Sequence, residues 1–172
     1  AIGPATAPPV PPVNFLADFG GGGMLAVVGV LAALFERERS GRGQVVDAAM
    51  TEGVALFTTF VRGLRAAGQW SGARGTNVLD GGAPFYRTYA CADGRCVAVG
   101  AIEPEFYAAL VERLGLVDLP PQWDRAAWGV VAERFAAVFA TRPRDDWAEL
   151  FDDPQACVAP VLELDEAPDH PQ

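Results

Sequence analysis

The sequence predicts an α/β protein in two parts, and three observations predict it. A glycine-punctuated apolar helix, a short β-branched run and a second apolar helix succeed one another within residues 1–67. Two strand-like runs around an Asp-Gly turn, followed by helices, fill residues 85–172. Between them Gly68 to Pro84 shows no periodicity and reads equally as a domain crossover or a functional loop. Helix, turn, strand and helix in succession is α/β order, and a hairpin with trailing helices is α+β.

Composition narrows the possibilities. A chain of 172 residues, 51% hydrophobic, suits one domain or a domain with a small lobe, and excludes disorder over the whole length. A net charge of -9 argues against a nucleic-acid partner, because phosphate neutralisation needs a basic face. All 13 basic residues are Arg, which reads as the bias of a GC-rich genome.

Cys91, Cys96 and Cys157 form no CxxC pair. Cys91 and Cys96 flank the Asp-Gly turn and are placed to face each other, but an odd count without a secretion signal favours free buried thiols. The sole histidine, His170, stands in a Pro-rich terminal stretch, so no four-ligand metal site is expected. No basic segment precedes an apolar core at the start, and the cytoplasm is the expected compartment. The opening at Ala1, directly into Pro-rich sequence, reads as a fragment or a processed chain.

Taken in order, residues 1–13 are expected to be extended. Asn14-Phe-Leu-Ala-Asp-Phe-Gly-Gly-Gly-Gly reads as an acid at the mouth of a glycine turn. Gly23 to Ser40 follows as a helix, apolar almost all round and therefore expected to be buried, with Gly41-Arg42-Gly43 as its stop. The most membrane-like run, Phe19 to Phe35, is 17 residues with five glycines. A span needs about 20 apolar residues, so no membrane span is expected.

Gln44 to Ala49 is expected as a strand, with Asp47 capping or bonding backbone at its junction with a helix from Met50 to Ala67. Phe85–Cys91 and Cys96–Ala101 form the hairpin. Pro104 starts a helix that stops at Gly115. Two further helices are expected, one from Val130 to Ala140 and one starting near Thr141, then a strand from Cys157 to Leu162. Tyr86, Tyr107 and the four Trp residues read as packing.

Asp18 is the candidate with chemistry. Glycines lacking Cβ let a ligand approach the backbone, and the first N–H groups of a helix favour an anion. On spacing alone two readings stand: a catalytic carboxylate beside a substrate site, or an N-cap before a glycine linker. The glycine run is no dinucleotide fingerprint, since no strand leads into it and Glu38 is helical. Glu103, ahead of Pro104, reads by itself as an ordinary helix N-terminal charge.

Three motifs occur together: Asn14 to Gly23, then Gly41-Arg-Gly-Gln-Val-Val-Asp-Ala-Ala-Met, then Leu79-Asp-Gly-Gly-Ala-Pro-Phe-Tyr with Gly100-Ala-Ile-Glu-Pro-Glu-Phe-Tyr. With Ala156-Cys-Val-Ala-Pro-Val near the end, they resemble the α-methylacyl-CoA racemase branch of the type III CoA-transferase superfamily. The resemblance implies part of a large CoA-binding domain in 1–67 and a small domain in 85–172. It implies epimerisation of 2-methyl-branched acyl-CoA thioesters, without metal or redox cofactor, in lipid metabolism. CoA enters only as part of the substrate.

In that family an Asp and a His serve as the two α-proton bases, and a Glu supports the His. The Asp falls on Asp18 and the Glu on Glu103, with Gly20, Gly21 and Gly22 as substrate-binding backbone. The His has no counterpart in this chain, and His170 is not expected to replace it. Family members are about twice as long and interlock as homodimers, so this chain alone is expected to be inactive. A CoA-transferase of the same superfamily, with Asp18 as nucleophile, is the alternative activity.

Overall fold

A computed structural model describes residues 2–4, 6–152 and 154–171. The chain divides into two units, one made of Ala1–Gly3 with Ala7–Gly72 and the other of Pro4–Thr6 with Ala73–Gln172. Residues 73–84 of the expected crossover thus belong to the second unit.

In the first unit the N-terminal segment closes on itself through a β-bridge between Ile2 and Val10. A π-helix, Phe15–Met24, then runs directly into α1, Leu25–Ser40. The expected glycine turn is therefore helical. Each Gly costs about 1 kcal/mol relative to Ala in a helix, so tertiary packing rather than propensity holds this segment, and its partner is α2, Met50–Phe57. The stop is where the sequence places it: Gly41 takes a φ of 71° and its N–H bonds the Arg37 carbonyl at 2.8 Å.

One expectation for α1 is corrected, and the length on which a second rested is revised. No residue of α1 is buried, and Val27, Val28, Leu31 and Phe35 are among the side chains it exposes. Because the glycine segment is helical, the continuous helix is Phe15–Ser40, 26 residues, long and apolar enough to cross a membrane by length and composition. Counting from Phe19 and reading glycines as a turn made it look too short.

The expected strand at 44–49 is also absent: the segment is irregular, and Val45 is 93% exposed. A strand exists only against a ladder partner, and among the described residues none pairs with it. Val46 instead lies along α1 at Gly29, where an added Cβ would come within 2.6 Å of its Cγ1. Nor does Asp47 cap the following helix. The cap position falls on Ala49, without a side-chain bond. The second helix breaks at Thr58 into α2 and α3, Thr59–Ala66, and the Thr58 and Thr59 hydroxyls both donate to the Ala55 carbonyl.

The second unit carries a conventional core. Strands β1, Tyr86–Ala90, β2, Cys96–Gly100, and β3, Val158–Pro160, make an antiparallel sheet in that order. Gly94 closes the hairpin at a φ of 79°. Three helices accompany the sheet: α4, Pro104–Arg113, α5, Trp128–Phe139, and α6, Arg144–Leu150. Alternate strand residues Tyr89, Val97 and Val99 point into a core with Leu110, Phe135, Phe139 and Trp147.

Aromatic contacts organise that core. Phe139 stacks on Tyr89 at 5.1 Å and meets Trp147 edge-on at 5.2 Å. The buried polar tips are satisfied: Trp147 Nε1–H donates to the Phe139 carbonyl and the Tyr89 hydroxyl to the Pro84 carbonyl. Cys91 is buried, and all three cysteines are free thiols.

The acidic C-terminal stretch is anchored by a buried arginine. Arg144 donates from both terminal nitrogens to the Glu166 carboxylate, at 2.7 and 2.9 Å, and also to the Val161 carbonyl. The paired guanidinium, then the Glu163 N–H, hold the Glu166 carboxyl down at about 2.

Candidate active site

Asp18 sits in the first turn of the π-helix, exposed, with its N–H bonded to the Asn14 carbonyl at 3.2 Å. The cap position is Asn14, so Asp18 is not the N-cap that the spacing allowed. It stands on the helix itself, with its carboxylate at the solvent surface.

The glycines after it are not at a helix start. A helix that already starts at Phe15 leaves Gly20, Gly21 and Gly22 inside it, so they are not the free N–H groups of a helix start. Their missing side chains admit α2. Cβ atoms at Gly20, Gly21 and Gly22 would come within 3.2 Å of the Phe57 ring, 3.1 Å of the Met50 carbonyl oxygen and 3.0 Å of the Met50 side chain. Gly53 of α2 faces Gly21 so closely that a Cβ there would overlap the Gly21 carbonyl. Gly53 escaped the sequence reading because it looks like a lone helix-interior glycine. Its signal is that such a glycine, costly by propensity, usually marks a close approach.

Glu103, in the second unit, is the N-cap of α4, with Pro104 next. Its carbonyl accepts the Tyr107 N–H, but its side chain makes no cap bond and the residue is exposed. The carboxylate is therefore not spent on a capping bond, and it stands where the ordinary reading puts it, as a charge at the helix N-terminus. Burial first, and then the charge of Glu103, push the Cys157 thiol up.

The Leu79-Asp-Gly-Gly-Ala-Pro motif folds around Asn77, a fully buried residue that periodicity did not reveal. The Asn77 N–H donates to one Asp80 carboxylate oxygen and its side-chain amide to the other, both at 2.7 Å. This is a capping box on the 3₁₀ turn Val78–Asp80, and an Asn three residues before an acid is its signal. Gly82 then turns back against the backbone of Thr76 and Asn77, where an added Cβ would clash.

Asp18 and Gly20–Gly22 thus share one helical segment in the first unit, while Glu103 belongs to the second. His170 is exposed beyond the 3₁₀ turn Ala167–Asp169. Trp128 and Trp147 are buried packing residues, whereas Trp123 is half exposed and rests against Phe85.

The chain is 51% identical to the α-methylacyl-CoA racemase of Mus musculus and 46% identical to that of Homo sapiens, in each case over 98% of its own length and 45% of the relative's. It therefore spans about half the length of the curated relatives it matches. Its fold is similar to that of a hypothetical protein from Mycobacterium tuberculosis, at a TM-score of 0.70 and 19% identity, over 99% of this chain and 46% of that one. The model of CoA-transferase family III matches residues 1–172, and the chain belongs to that family.

Proposed function

We propose that this chain is part of an enzyme that epimerises the α-carbon of 2-methyl-branched acyl-CoA thioesters. Asp18 takes the α-proton: the C–H bond breaks and its electron pair passes to the thioester carbonyl oxygen as an enolate. A proton returned to the opposite face completes the inversion, and no electrons leave the substrate. Both bases must reach their proton within hydrogen-bond distance. In this reading Asp18 serves one face, a histidine outside these residues serves the other, and Glu103 supports that histidine. CoA is part of the substrate, and no separate cofactor enters.

The placement of Asp18 carries the reading. It is an exposed carboxylate on a segment fixed by backbone-close packing against α2, in a chain about half identical to racemases along its length. A general base gains from such fixation, because a misplacement of about 1 Å can cost about 100-fold in rate. The glycines help by fixing that helix, and Gly20–Gly22 remain the backbone we assign to the substrate side.

The exposed apolar surface of α1 supports a second element of the proposal, that the active protein is an interlocked homodimer in which this surface is covered and spans no membrane. The reading also makes the 172-residue chain inactive by itself, since its one histidine is His170. The cytoplasm is the compartment we assign.

The family match also supports a transferase reading, in which Asp18 attacks the thioester carbon and expels the CoA thiolate, leaving an acyl-aspartyl anhydride. Hydroxylamine added during turnover separates the two. A base leaves Asp18 unmodified, whereas a hydroxamate on Asp18 would establish the nucleophile and overturn the racemase role.

A further inference from the structure

Glu103 has an exposed side chain without a cap bond, so what aims it is the backbone beneath it. The side-chain amide of Gln122 donates from Nε2 to the Ala101 carbonyl at 3.2 Å and to the Ile102 carbonyl at 2.8 Å. Those are the two peptide carbonyls immediately before Glu103. An amide nitrogen carries two hydrogens, and here both are used on consecutive peptide planes. On the other side of the same turn, the Gly100 N–H bonds the Cys157 carbonyl at 2.8 Å and the Ile102 N–H bonds the Gly100 carbonyl at 3.0 Å. With these planes fixed, so is the direction in which Glu103 leaves the chain.

Gln122 is itself well held. Its carbonyl accepts the indole N–H of Trp128 at 2.9 Å, and Trp128 packs edge-on against the buried Phe85 at 5.8 Å. Arg125 lies over the Trp128 ring at 4.9 Å and donates to the Thr76 carbonyl at 3.0 Å. Residues 122–128 therefore strap the turn before Glu103 to α5 and to the folded Asn77 motif.

We infer that Gln122 is a positioning residue for Glu103, aligning that carboxylate for the proton-transfer reaction through the carbonyls of Ala101 and Ile102. The inference rests on the reading of Glu103 as the supporting carboxylate of the epimerisation. Gln122 touches neither substrate nor reacting atoms in this role. Its effect should appear in kcat, not in KM, and should vanish when Glu103 no longer ionises.

The test measures epimerisation of a 2-methylacyl-CoA by the complete protein that carries this chain, in wild type, Glu103→Gln, Gln122→Leu and the double variant. Glu103→Gln should lower kcat by roughly 100-fold. Gln122→Leu should lower it by roughly 10-fold, with KM within about twofold. The double variant should be no slower than Glu103→Gln alone, because residues acting through one group are not additive.

The Trp128 indole N–H resonance should stay in place in Gln122→Leu, since its acceptor is the main chain. Should that resonance be lost, Gln122→Met, which keeps the length and removes both donors, carries the same expectation. Wild-type kcat in the folded Gln122 variant, or effects that multiply in the double variant, would overturn the inference. An unchanged kcat in Glu103→Gln would instead strike down the role of Glu103, and the inference with it, and the single Glu103 variant shows which has failed.

Discussion

Gly21 of the π-helix and Gly53 of α2 meet backbone to backbone, with no room for a Cβ on the second where the first presents its carbonyl. This contact allows four consecutive glycines to be helical, and it sets the segment on which Asp18 stands. Gly53→Ala gains helix propensity but forces the two backbones apart. Overpacking of this kind costs about 1–3 kcal/mol, more than the roughly 1 kcal/mol that Ala gains over Gly in a helix.

The urea midpoint of Gly53→Ala should therefore fall. Gly63→Ala, in α3, is the control, since nothing lies within 4 Å of an added Cβ. It should raise the midpoint by roughly 0.5–1 kcal/mol in stability. Equal effects at the two positions would remove the packing account of the glycine run.

The core of the second unit makes a separate prediction. Phe139 is fully buried between Tyr89 and Trp147. Phe139→Ala should cost about 3–5 kcal/mol through lost transfer energy and the cavity left behind. Denaturant unfolding followed by intrinsic tryptophan fluorescence reports it, and a loss under about 1 kcal/mol would show that the site collapses around the gap.

How much of this was legible in the sequence follows from where the deciding forces act. The hairpin, the Pro104 start, the Gly41 stop and the helix at Trp128–Phe139 rest on local turn chemistry and periodicity, and all four are in the structure. The glycine run misled because its helicity comes from Gly53, some thirty residues away. Val45-Val46 misled because β propensity without a ladder partner makes no strand. The apolar circumference of α1 was correctly read, but the inference that it must be buried within this chain did not follow. Asp18 and Glu103 were legible only as motif positions. Their exposure, and Glu103's lack of a capping bond, come from the structure. Gln122 and Arg144 were invisible, since each acts on groups distant in sequence.

Arg144 and Glu166 predict an acid-dependent clasp. The Glu166 carboxyl is lowered from 4.5 to about 2 by its pairing with Arg144. A lowered folded pKa contributes stability above the unfolded value that is lost as pH falls through the folded one. The anchoring of residues 163–169 should thus be intact above about pH 4.5 and weaken toward pH 2. Glu166→Gln should flatten the dependence of stability on pH across that window and lower stability at pH 7. A variant with the wild-type slope would mean that the pair does not hold the tail.

The central claim is that Asp18 acts as an α-proton base, and isotope exchange tests it most directly. The complete protein, given each enantiomer of a 2-methylacyl-CoA in deuterated water, should incorporate deuterium at the α-carbon and invert it. Asp18→Asn should lose at least about 100-fold of that rate, the lower end of what a positioned base contributes. Inversion without α-deuterium, or wild-type exchange and inversion in Asp18→Asn, would contradict the account.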